Sequence, residues 1–127
     1  MRTTISPAAH AHAAIESPAA EAALHAVQEA WSAAGISWNA EALSHVYTPD
    51  AIFFGGRPGH SIGREAIKEY FASYDDMLQS TTLRLVDQQV IEIGTDLYLA
   101  QGYGEFSFVL ADGNAAKSVS RTTLLIV

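Results

Sequence analysis

Apolar side chains at Leu24, Val27 and Trp31 recur at helical spacing and mark one stripe of a helix. Ser17-Pro18 offers that helix a capping serine and a proline at its first position, and Gly35 can end it. Asn39 can cap a second, shorter helix through Tyr47, with Leu43, Val46 and Tyr47 as its apolar face and Pro49 as its stop. Ala51–Phe54 is short and rich in β-formers, which predicts a strand. Residues 55–63 (GGRPGHSIG) hold four glycines and a proline and read as a turn-rich excursion. The pattern of Ile67, Tyr70, Phe71, Tyr74 and Leu78 predicts a third helix over Arg64–Leu78.

After Ser80 the period drops to two. Leu83 and Leu85, then Ile91 and Ile93, predict a strand over Thr82–Ile93, with a bulge or bend near Asp87 and Gln89. Gly94-Thr95 turns the chain into a strand over Leu97–Leu110, and Ala111-Asp112-Gly113-Asn114 is a hairpin signal before a last strand over Ala116–Val127. The order α-α-β-α-β-β-β predicts an α+β fold with an antiparallel sheet. Residues 1–16, rich in alanine and interrupted by Pro7, read as a flexible arm before a single domain over 17–127.

Composition narrows the function. The 127 residues carry 7 Lys+Arg against 14 Asp+Glu, a net charge of −7, and that field repels nucleic acid and anionic membrane surfaces. With no Cys there is no disulfide, thiol nucleophile or iron–sulfur cluster. No apolar run reaches the roughly 18 residues of a membrane span, and the first residues lack a secretory signal's apolar segment, so the expected compartment is cytoplasmic. His10-x-His12 stands without neighbouring ligands, and His25 and His45 stand alone, so no metal site is expected. Neither a phosphate-binding lysine after the glycines nor a G-x-S-x-G elbow is present.

Trp31, Trp38-Asn39-Ala40, Leu43, Tyr47-Thr48-Pro49-Asp50-Ala51, Gly63-Arg64-Glu65-Ala66-Ile67 and Tyr70-Phe71 stand in the order and spacing of a known family. On these residues the chain, from about 20 to 127, resembles the SnoaL-like branch of the nuclear transport factor 2-like superfamily, which also contains ketosteroid isomerases. The resemblance implies a cone-shaped, curved antiparallel sheet packed on three helices from the N-terminal half. It also implies a pocket at the wide end and a homodimer formed through the sheet. Two departures qualify it. The position that matches the isomerases' catalytic aspartate, eight residues beyond Tyr47, is Gly55, which argues against that mechanism. The family's usual last strand also has no counterpart after Ser118–Val127, so the sheet is one strand shorter or a partner chain covers its edge.

A concave apolar pocket would orient a ligand through a few polar groups. Glu105, if buried, could act as general acid or base, whereas an exposed edge carboxylate is the ordinary alternative. His60 lies in the glycine-rich loop near Arg57 and Arg64, where a helix start and two cations could hold an anion, whereas a flexible loop of solvated polar residues is the ordinary reading. Tyr47, Tyr74, Tyr98, Tyr103 and Arg121 are the candidate ligand-binding residues, with core packing or surface pairing as the competing roles. The expected function is therefore binding of an apolar small molecule without a cofactor, with isomerisation, cyclisation or dehydration as the chemistry if it is an enzyme. The alternative is a non-catalytic sensing or association module. Phe106, Phe108 and Leu110, with Val109 on the other parity, leave apolar groups on both faces of a strand and suggest a homodimer.

Overall fold

The computed structural model describes residues 17–127; the expected arm at 1–16, with His10 and His12, lies outside them. The described chain runs α1 (Pro18–Gly35), α2 (Ala40–Ser44), β1 (Ile52–Phe53), β2 (Ser61–Ile62), α3 (Arg64–Ala72), β3 (Leu78–Gly94), β4 (Leu97–Leu110) and β5 (Ala115–Ile126). β1 and β2 form a small antiparallel ribbon, and β3-β4-β5 form a second sheet in that order. This is the α+β class that the element order predicts. Among the described residues no helix is long and apolar enough to cross a membrane.

The helix starts follow from their caps. Ser17 Oγ accepts the Ala20 N–H at 3.3 Å, and Asn39 Oδ1 accepts the Ala42 N–H at 3.0 Å. Helix ends depart from the expectation for one reason in two places. After Ser44 the chain tightens into i→i+3 bonds, Val46 N–H to Leu43 O and Tyr47 N–H to Ser44 O, so regular helix stops before Tyr47. After Ala72 the same tightening joins Tyr74 N–H to Phe71 O and Asp75 N–H to Ala72 O, and α3 is shorter than Arg64–Leu78. Leu78 opens β3 instead. The excursion at 55–63 contains β2, where Ile62 pairs with Ile52 and Ser61 with Phe53. Asp87 adopts φ 54° within β3, at the place where a bulge is expected.

The described residues form two compact units, 17–28 with 84–105 and 119–127, and 29–83 with 106–118. In the first, Ala20 and Leu24 pack with Val90, Tyr98 and Ala100, and Ala23, Leu85, Leu124 and Ile126 close around them. Gln28 Oε1 accepts the Leu85 N–H at 2.7 Å, which ties α1 to β3 where the strand would otherwise leave a donor unpaired.

In the second unit, Leu43 and Ile67 are fully buried and Phe71 is the hub of an aromatic cluster. Its ring lies 5.4 Å from Phe53, 5.9 Å from Trp38 and 6.2 Å from Trp31, mostly edge-on or tilted, as ring quadrupoles favour. Ser32 Oγ donates to Leu83 O at 3.1 Å and accepts the Leu83 N–H at 3.0 Å, pairing both backbone groups of one strand residue. Gly35 is required because a Cβ there would run into the Thr81 carbonyl.

Candidate functional site

The second unit carries an open groove of about 460 Å³ lined by Tyr74, Met77, Leu78, Phe108, Leu110, Ala111 and Asp112. Strand periodicity puts Phe108 and Leu110 on one face of β4, and the turn after α3 brings Tyr74, Met77 and Leu78 opposite them. Two bonds hold the halves together: Ala111 N–H donates to Met77 O at 2.9 Å, and Gln79 Nε2 donates to Ala111 O at 3.0 Å. Asp112, the carboxylate of the lining, accepts the Asn114 N–H through Oδ1 at 2.9 Å and the Asn114 side-chain amide through Oδ2 at 3.0 Å. Both its oxygens therefore serve the hairpin turn.

Tyr74 links the groove to a polar–aromatic network. Its ring lies 6.2 Å edge-on from Trp38, and its hydroxyl is 3.4 Å from that of Tyr70. Tyr70 also accepts the Gly56 N–H at 2.8 Å. Burial, reinforced by the bond with Tyr74, pushes the Tyr70 phenol up to about 12. Tyr47 is likewise pushed up to about 12 by burial, although Trp31 Nε1 donates to its oxygen at 3.3 Å and opposes the shift. Both are neutral phenols at physiological pH. Arg57 lies over the Tyr74 ring at 4.2 Å, and its Nε donates to Ser73 Oγ at 2.8 Å.

The expected site residues disperse. Tyr74 lines the groove, whereas Tyr47 sits in the aromatic cluster with its ring 5.3 Å from Phe53. Tyr98 belongs to the core of the first unit, and Tyr103 and Arg121 are exposed there. Glu105 pairs with Arg84, Nη2 to Oε1 at 3.1 Å, on an exposed surface. Its neighbour Phe106 packs 5.5 Å from Trp31, and alternation along β4 turns Glu105 to the opposite face. His60 is exposed and stacks on Phe54 at 4.8 Å. The cations near it part company, since Arg64 donates to Tyr47 O at 2.7 Å while Arg57 turns to Ser73 and Tyr74.

Sequence reasoning missed Met77, Leu78, Ala111 and Asp112 as groove residues. The alternation of Phe106, Phe108 and Leu110 was the available signal for the β4 wall. At Gly55 a Cβ would lie 2.5 Å from Tyr70 Cζ and 2.6 Å from its hydroxyl, so the tyrosine fills the space an aspartate would need. Among the described residues no three His, Asp or Glu side chains are placed to hold a metal ion.

Comparison with solved structures finds the same fold at low identity. A candidate calcium/calmodulin-dependent protein kinase II association domain from Xanthomonas campestris superposes with a TM-score of 0.69 at 16% identity, covering 98% of this chain and 82% of that one. A ketosteroid isomerase-like protein from Erwinia carotovora atroseptica gives 0.60 at 19% identity, with 83% and 78% covered. A nuclear transport factor 2-like superfamily protein from Salmonella enterica serovar Typhimurium gives 0.58 at 20%, with 84% and 80% covered. A search among curated proteins finds no match. The sequence profile of the SnoaL-like domain matches residues 24–127, and the chain belongs to that family.

Proposed function

We propose that the domain binds an apolar small molecule in the groove of the second unit and does not transform it. One observation carries this reading. The groove is walled by Met77, Leu78, Phe108 and Leu110, and its one carboxylate, Asp112, has both oxygens engaged by Asn114. Its size falls within the roughly 300–1,000 Å³ of small-molecule sites. Glu105 and His60, the sequence's candidate acid and base, face elsewhere, one toward Arg84 and the other against Phe54. The description of the Xanthomonas campestris protein names an association domain, and a non-catalytic sensing or association role for this chain is in keeping with such a site.

Titration with the neutral fluorescent probe N-phenyl-naphthylamine tests the proposal. The wild type is expected to bind it with micromolar affinity. Ala111→Phe, which places a ring in the groove from an exposed position, is expected to weaken binding about ten-fold, or 1.4 kcal/mol, with an unchanged circular dichroism spectrum. Equal affinity in the two proteins overturns the reading.

A second reading, a cofactor-free isomerase, cyclase or dehydratase, draws support from Tyr74. Its hydroxyl, backed by the neutral Tyr70 phenol, is a hydrogen-bond donor suited to a developing oxyanion at the groove. We further propose a homodimer through the sheet, supported by exposed Ile91, Ile93, Tyr103, Val119 and Leu125. A cytoplasmic location is part of the same proposal, in keeping with a chain that has no Cys.

A further inference from the structure

We infer that the ligand of the groove is an amphipathic carboxylate whose charged end is held by Arg57; this rests on the groove being the binding site. Arg57 is held on two sides. Its guanidinium lies over the Tyr74 ring at 4.2 Å, its Nε donates to Ser73 Oγ at 2.8 Å, and its Nη2 donates to Ser73 O at 3.4 Å. Ser73 is itself anchored by donating from Oγ to Tyr70 O at 2.6 Å.

These bonds consume the Nε edge of the guanidinium. Both Nη1 hydrogens and the second Nη2 hydrogen remain, and one hydrogen from each nitrogen makes the end-on fork that matches the two oxygens of a carboxylate. Stacking on Tyr74 and bonding to Ser73 fix the orientation of that fork, so little side-chain freedom is left to lose on binding. Tyr74 is a wall of the groove, which puts the cation one ring away from the apolar lining.

Among the described residues no carboxylate forms an ion pair with Arg57. Of the other described cations, Arg84 pairs with Glu105, Lys68 with Glu41 and Glu65, and Arg64 bonds the Tyr47 carbonyl, while Lys117 and Arg121 are exposed on β5 and absent from the groove lining. Asp112 lines the groove and repels an anion from the hairpin side. The charged end therefore goes to Arg57 and the apolar body lies along Met77, Leu78, Phe108 and Leu110.

Isothermal titration of the full chain with naphthoate and with neutral naphthalenemethanol, which share one ring system, separates the charge from the apolar surface. The wild type is expected to prefer naphthoate by about ten-fold at low salt. That preference is expected to shrink as salt rises, because the guanidinium is exposed. Arg57→Gln removes the fork and is expected to bind both compounds equally, at the wild-type affinity for the alcohol. Ser73→Ala frees the guanidinium and is expected to reduce the preference without abolishing it. Equal binding of both compounds by the wild type, or a preference that survives in Arg57→Gln, overturns the carboxylate assignment and leaves the groove standing. If the wild type binds neither compound, the groove reading and this one fall together.

Discussion

Burial holds the phenolic protons of Tyr47 and Tyr70 beyond the pH at which a solvated tyrosine loses its own, from 10.0 up to about 12 in each case. The folded chain then binds more protons at these two groups than the unfolded chain between those values, so their contribution to stability is constant below pH 10 and is lost as pH rises toward 12. Urea unfolding followed across that range is expected to show the fall, and Tyr47→Phe to remove part of it. The same variant leaves Trp31 Nε1 without its acceptor, at a cost of about 1–3 kcal/mol at neutral pH. A stability that is flat up to pH 12 contradicts the neutral-phenol assignment. Gly55 gives the second test at this scale. Its missing Cβ makes room for the Tyr70 and Phe53 rings, and Gly55→Ala is expected to destabilise by about 1–3 kcal/mol through overpacking. An unchanged urea midpoint would show that the rings give way. From the sequence, Gly55 was legible as a missing base, but the ring that occupies its space was not, because Tyr70 reaches it from fifteen positions along the chain.

Regular elements were legible where the period ran long enough to select a face, as in α1, β3 and β4. They were not where three or four residues decide the outcome. β2 is two residues long, and the pairing of Ile62 with Ile52 leaves no periodic trace. α3 was read too long because Tyr74 and Leu78 continue its apolar spacing, yet they serve the groove and β3 instead. That early end matters, since the turn it frees carries Ser73, Tyr74 and Met77, the residues that anchor Arg57 and line the site. Within α3 the sequence pattern identifies Phe71 as inward, and the structure gives it five aromatic neighbours. Phe71→Ala is expected to cost about 3–5 kcal/mol, while Glu69→Ala on the exposed side stays within about 0.5 kcal/mol. Guanidinium unfolding of the two variants measures the contrast, and similar midpoints would mean that the cluster does not hold α3.

At the scale of the whole chain, a net charge of −7 and exposed apolar groups at Ile91, Ile93, Val119 and Leu125 pull in opposite directions on self-association. Burying those side chains against a second copy gains roughly 25 cal/mol per Å² of apolar surface, whereas bringing two acidic chains together costs Coulomb energy that salt screens. The apolar gain is insensitive to screening, so association is expected to strengthen as salt rises, the opposite of the trend expected for the Arg57 contact. Light scattering at micromolar concentration and near-physiological salt is expected to give twice the 13.6 kDa mass of the chain. Replacing Ile91 and Ile93 together by Lys is expected to return it to one chain mass. A monomeric wild type at every salt concentration overturns the dimer. Those isoleucines belong to the first unit and the groove residues to the second, so the monomeric variant should bind N-phenyl-naphthylamine as the wild type does. Lost binding in that variant would mean that the site needs a second copy of the chain, and the groove of one chain would then be only part of it.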